Sequence, residues 1–144
     1  MSKSFQTSDF QIAVPDGWRH RSATTLFELP AAPGAFQRSI VLTQDYLLQP
    51  CAAADFAAQQ RDELIRVLPG VEVDDLPPLG TPAAPIPQFK LRWSPPDSAT
   101  IVQRQVFFVR APWGWTITCT TLESDAGSLD DLFLRTVASF SPKP

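Results

Sequence analysis

Apolar and polar positions alternate along Phe10-Gln11-Ile12-Ala13-Val14 and stop at Pro15-Asp16-Gly17, which predicts a strand and a turn. Thr24 to Leu29 predicts a second strand, ended by Pro30, and Pro33-Gly34 the next turn. Phe36 to Tyr46 reads as a third strand. The period then changes. Phe56, Gln60, Leu64 and Leu68 recur every four residues on one face of a helix over Ala52 to Leu68, widened by Ala57, Ile65 and Val67, and Pro69-Gly70 stops it. Val71 to Val73 starts another strand, and the proline-rich stretch Leu76 to Pro87 predicts a loop. Phe89 to Trp93 and Thr100 to Arg110 flank a hairpin connection, Ser94-Pro95-Pro96-Asp97-Ser98. Ala111-Pro112-Trp113-Gly114 turns the chain into a Thr- and aromatic-rich strand, Trp115 to Leu122. Ser128 opens a last helix, with Asp130 and Asp131 at its positive end and a stripe of Leu129, Leu132, Phe133, Thr136 and Val137.

Neither an internal repeat nor a domain boundary interrupts this order. It predicts a single domain over residues 1–144 of the α/β class, α+β type, with a mostly antiparallel sheet and helices packed on it. A domain of 144 residues buries roughly 68–70% of its unfolded surface and needs no metal or disulfide staple. With 44% hydrophobic residues, the chain has material for a core.

The formal net charge of −3 and the scattered Lys and Arg argue against a nucleic-acid partner and against adhesion to an anionic membrane. No window approaches a membrane span, and the first residues lack the apolar stretch of a signal peptide. Cys51 and Cys119 fit no metal spacing and read as buried free thiols. These features predict a cytoplasmic protein without direct membrane insertion.

Catalytic sets are hard to assemble. The one histidine, His20, lies between two arginines beside a turn and reads as a surface residue. The six glycines are scattered and build no phosphate loop. The acidic pairs Asp62-Glu63, Asp74-Asp75 and Asp130-Asp131 occupy neighbouring positions, which do not face each other on a helix or strand. No catalytic residue, metal site or cofactor is expected, and the chain reads as a non-enzyme.

Uncharged polar groups set among aliphatics are the distinctive pattern. Along Ser39-Ile40-Val41-Leu42-Thr43, Ser39, Val41 and Thr43 share one face. Along the strand from Ile101, one face carries Ile101, Gln103, Gln105 and Phe107. Gln60 interrupts the apolar helix stripe. A solvated face normally carries charges, and a sealed core excludes Gln, because an unpartnered buried amide costs about 1–3 kcal/mol. Two readings fit: an ordinary half-exposed sheet face, or a surface that is wet when empty and covered when a partner arrives.

Ile12-Ala13-Val14-Pro15-Asp16-Gly17-Trp18, Ser22, Leu26-Phe27-Glu28-Leu29-Pro30, Ser39-Ile40-Val41-Leu42-Thr43, Leu68-Pro69-Gly70 and Arg104-Gln105-Val106-Phe107, taken in order, resemble the DcrB-related Eag proteins. These are the effector-associated chaperones of type VI secretion systems. The resemblance implies a fold similar to the Mog1 and PsbP proteins and a cradle-shaped homodimer. It also implies a role: shielding the hydrophobic N-terminal transmembrane helices of a secreted effector and aiding its loading on the VgrG spike. Matched motif by motif, the client-binding groove would comprise Thr24, Leu26, Ser39, Val41, Thr43, Gln60, Leu64, Leu68, Ile101 and Gln105. Thr24 departs from a more typical aliphatic and Thr43 from Ser. The stretch from Leu76 to Pro87 matches no motif of the family. The alternative is a non-catalytic interaction module of the same fold that binds a soluble protein partner.

Overall fold

Alternating side chains from Ile101 onward build the centre of the sheet, because every second residue finds apolar cover on each side. The computed structural model describes residues 3–6, 9–18, 21–29 and 32–142. Its elements in chain order are β1 (Lys3–Gln6), β2 (Gln11–Val14), β3 (Arg21–Phe27), β4 (Ser39–Tyr46), α1 (Ala53–Val67), β5 (Glu72–Thr81), β6 (Ala84–Trp93), β7 (Ile101–Arg110), β8 (Trp113–Leu122) and α2 (Asp130–Ala138), with a 3-10 turn at Glu123–Asp125. Strands β1 and β2 form a separate two-stranded hairpin, and the other six make one antiparallel sheet in the order β3-β4-β8-β7-β6-β5. The fold is therefore α+β, as the alternation predicted. His20 and Pro30 lie outside the described residues.

The helices take opposite faces. Phe56 and Ala57 of α1 bury against Phe89, Leu91 and Phe107. The Phe56 ring meets Phe107 edge-on at 6.0 Å. Gly114 lets α1 approach β8, since a Cβ there would stand 2.9 Å from Cζ of Phe56. On the other face, Phe133 and Val137 of α2 pack on Val106, Ile117 and Cys119. Phe140, just past α2, closes on Phe108 at 4.8 Å. Leu132, counted in the α2 stripe by its spacing, stays exposed.

The stretch Leu76 to Pro87 is not a loop. It forms most of the β5–β6 hairpin, turning through Pro82 and Ala83. Its prolines sit where a ladder tolerates them. Strand β5 is an edge, and Pro77 and Pro78 fall at the register shift between Leu76 and Leu79. Pro85 and Pro87 precede Gln88, where the pairing of β6 with β7 begins, so they break no bond of that ladder. Gly80, at φ +79°, supplies the left-handed position beside the turn. Strand β1 also had no counterpart in the sequence pattern.

Candidate functional site

Helix α1 lies over β6 and β7, reaches β8 at Gly114, and leaves the rest of the β3-β4-β8 half of its sheet face open. The register lays out that open half in three rows. One runs Phe27, Ser39, Thr120, Gln103; the second Thr25, Val41, Thr118, Gln105; the third Ala23, Thr43, Thr116, Phe107. Small hydroxyl residues thus fill the middle of the sheet, where β-branched side chains pack well on a pleated surface. Aliphatic and aromatic groups stand on either side of them.

Where this floor meets α1, a groove of about 590 Å³ opens, with Thr43, Thr116, Thr118 and Gln105 on the sheet side and Gln60 and Leu64 on the helix side. Gln105 is 6% exposed. Its side chain donates from Nε2 to Oε1 of Gln103 over 3.4 Å, a long bond. Thr116 is 7% exposed and its buried hydroxyl has no hydrogen-bond partner among the described residues. A buried hydroxyl in that state is costly, and folded chains rarely tolerate it without a reason.

Charge is confined to one end. Arg21 and Asp45, opposite each other on β3 and β4, form an ion pair at 2.5 Å beside the groove. Glu63 lines the same end and is hydrogen-bonded by Arg66, which holds its carboxyl below the usual range. A second hollow of about 710 Å³ shares Arg21, Asp45, Gln59 and Gln60 and continues toward Tyr46 and Leu48. The site is a long trough with a neutral, hydroxyl-and-amide floor and a charged rim. It can bury apolar surface and meet polar groups with neutral hydrogen bonds. Among the described residues, no group of three or more His, Cys, Asp or Glu stands close enough to hold a metal ion.

The residues expected at a binding groove divide as follows. Thr43, Gln60, Leu64 and Gln105 line the trough together. Ser39 and Val41 continue its rows on the same face. Ile101 shares that face at the far end of β7, beside Trp93 and Leu122. Leu68 sits at the C-cap of α1, its N–H bonded to the Leu64 carbonyl. Thr24 and Leu26 are not brought to this face. They pair with Leu42 and Ile40 and point to the α2 side, into a small cavity of about 150 Å³ with Ile117 and Phe140. Period two makes their neighbours Ala23, Thr25 and Phe27 the β3 residues of the open face. Thr116 and Thr118 were missed as site residues, although the spacing Thr116, Thr118, Thr120 was a usable signal.

No protein-family model matches the chain. It is 23% identical over 140 residues to Effector EagT6 of Pseudomonas aeruginosa, covering 97% of this chain and 96% of that one. Among solved structures, a Pseudomonas aeruginosa protein of unknown function, PA94, superposes with a TM-score of 0.72 at 22% identity over 99% of this chain and 98% of that one. LpqN of Mycobacterium tuberculosis, described as involved in cell envelope biogenesis, superposes with a TM-score of 0.50 at 13% identity over 91% of this chain and 84% of that one. The structural matches support the α+β fold.

Proposed function

We propose that this chain is a non-catalytic chaperone of the Eag kind, which holds the hydrophobic N-terminal helices of a type VI secretion effector in the cytoplasm and aids delivery to the VgrG spike. The observation that carries the reading is the half-covered sheet face, where Thr43, Thr118 and Gln105 of the sheet meet Gln60 and Leu64 of α1 in an open groove. Similarity to Effector EagT6 over nearly the whole chain supports it.

The trough supplies both kinds of contact that a membrane helix loses when kept out of lipid. Val41, Leu64 and Phe27 offer apolar area, worth about 25 cal/mol per Å² removed from water. Ser39, Thr43, Gln60, Gln105 and Thr118 offer neutral hydrogen bonds like those that join helices inside membranes. Each such bond contributes about 0.5–1.5 kcal/mol net. Affinity therefore comes from area, while the polar floor sets register and keeps the empty trough wetted. Two copies, each presenting one trough, would form the cradle, with Ile101 and Leu68 extending the contact surface. On β3, contact passes from Thr24 and Leu26 to Ala23, Thr25 and Phe27.

The test is co-expression with the N-terminal region of a candidate effector, read by native mass spectrometry. A soluble complex with two copies of this chain is expected. A chain that leaves such segments to aggregate, or that captures only soluble partners, overturns the reading.

A further inference from the structure

We propose that the cavity on the α2 face, on the other side of the sheet from the trough, binds a small organic monoanion: a carboxylate carried on a short apolar body. The cavity holds about 300 Å³, at the lower end for small-molecule sites. Leu76 and Pro77 of the β5 irregularity form one apolar wall, and Leu129 and Phe133 another.

Two of the polar groups lining the cavity are cationic, Lys90 and Arg104, and Arg104 is held in place. Lys90 and Arg104 are direct cross-strand partners on β6 and β7, so both side chains emerge on the same face. Two like charges opposite each other destabilise a sheet unless a counter-charge is present. Gln88 fixes Arg104: its Oε1 accepts from Nε at 3.0 Å and from Nη2 at 2.8 Å. The Gln88 Nε2 in turn donates to the Pro77 carbonyl at 2.6 Å. The guanidinium also stands over the Phe133 ring, 5.8 Å from its centroid. Its remaining nitrogen, Nη1, lies 3.7 Å from Asp130, within ion-pair reach but beyond a hydrogen bond.

Lys90 has no counter-ion within ion-pair distance among the described residues, although Asp74 is its cross-strand partner on β5. Among the residues that line the cavity, two cations, Lys90 and Arg104, thus face a single carboxylate, Asp130 at 3.7 Å from Arg104, while Asp74 stands outside the lining. A ligand carboxylate would meet Lys90 and compete with Asp130 for Nη1 of Arg104, and its apolar body would meet Leu129 and Phe133.

Titration with phenylacetate, its neutral amide and inorganic phosphate, followed by calorimetry and amide chemical shifts, tests the assignment. Phenylacetate should bind and shift Val102, Cys119 and Leu129, with the amide weaker by about tenfold or more, the ratio expected for one charge-assisted bond. Lys90→Gln should weaken phenylacetate by a similar factor. Asp130→Asn should tighten it, an effect that a purely structural role for these residues would not produce. Both substitutions are at partly or fully exposed residues, so the test does not depend on altering Arg104. Equal binding of the amide, equal binding of phosphate, unchanged affinity in Lys90→Gln, or no response at millimolar phenylacetate would overturn the proposal. Because the trough is on the other face, these outcomes are independent of client capture.

Discussion

Thr116 buries a hydroxyl that finds no hydrogen-bond partner among the described residues. Thr116→Val keeps the shape and removes the orphan group, so it should raise stability by about 1 kcal/mol, measured by urea unfolding. Gln105→Ala should weaken capture and cost about 1–3 kcal/mol of stability, a loss set by the packing of a buried side chain, because its bond to Gln103 is long. If that variant unfolds instead, Gln105 is structural and leaves the proposed contact set. Cys119 differs from Cys51, which is only half-buried. Burial pushes the Cys119 thiol up, with the Asp130 carboxylate adding to the effect. The folded state thus keeps a proton that the unfolded state loses, and this contribution to stability is present below the unfolded thiol value and fades as pH rises past about 8.5. Alkylation kinetics at mildly alkaline pH should show Cys51 modified well before Cys119. At this scale the sequence revealed polar residue types in apolar company. It could not reveal which of them lacked a partner, since that depends on strands distant along the chain.

At the scale of elements, period was a good guide and proline was a poor one. Helix α1 runs over Ala53–Val67, within a residue at either end of the span its four-residue spacing indicates. The β5–β6 hairpin escaped notice because a proline is judged by the N–H it lacks, and whether that N–H is needed depends on edge position and register. The face of β3 depends on register in the same way. The family resemblance implies Thr24 and Leu26 at the groove, whereas the pairing of Thr25 with Val41 puts Thr25 on the trough face and Thr24 and Leu26 on the other. The placement of α1 depends on Gly114, whose missing side chain is occupied by the Phe56 ring. Gly114→Ala should force that ring aside and destabilise the protein by about 1–3 kcal/mol, read as a lower unfolding midpoint. The α2 face should keep its packing, because Phe133 and Val137 belong to a separate cluster.

The whole molecule is a sheet dressed unequally. Its β6-β7 part is roofed by α1 on one face, while β3 at the opposite edge is exposed over nearly all its residues. Among the described residues, no helix is long and apolar enough to cross a membrane. The proposed role therefore asks the chain to accept a membrane segment without resembling one. A face of Thr, Ser and Gln suits that task, because it neither collapses on itself nor sheds water at great cost. Replacing Thr118 with Leu should move this balance: tighter capture of apolar segments in a pull-down, together with self-association of the empty protein by light scattering.

The strand order also sets a gradient in how long each amide holds its proton. Strands β7 and β8 are flanked on both sides, whereas β3 has β4 alone and little cover above or below. Deuterium should therefore enter β3 early and the centre late. An occupied trough would flatten that gradient from the edge inward, so the footprint of a bound client could be read strand by strand in the exchange times of β3 and β4.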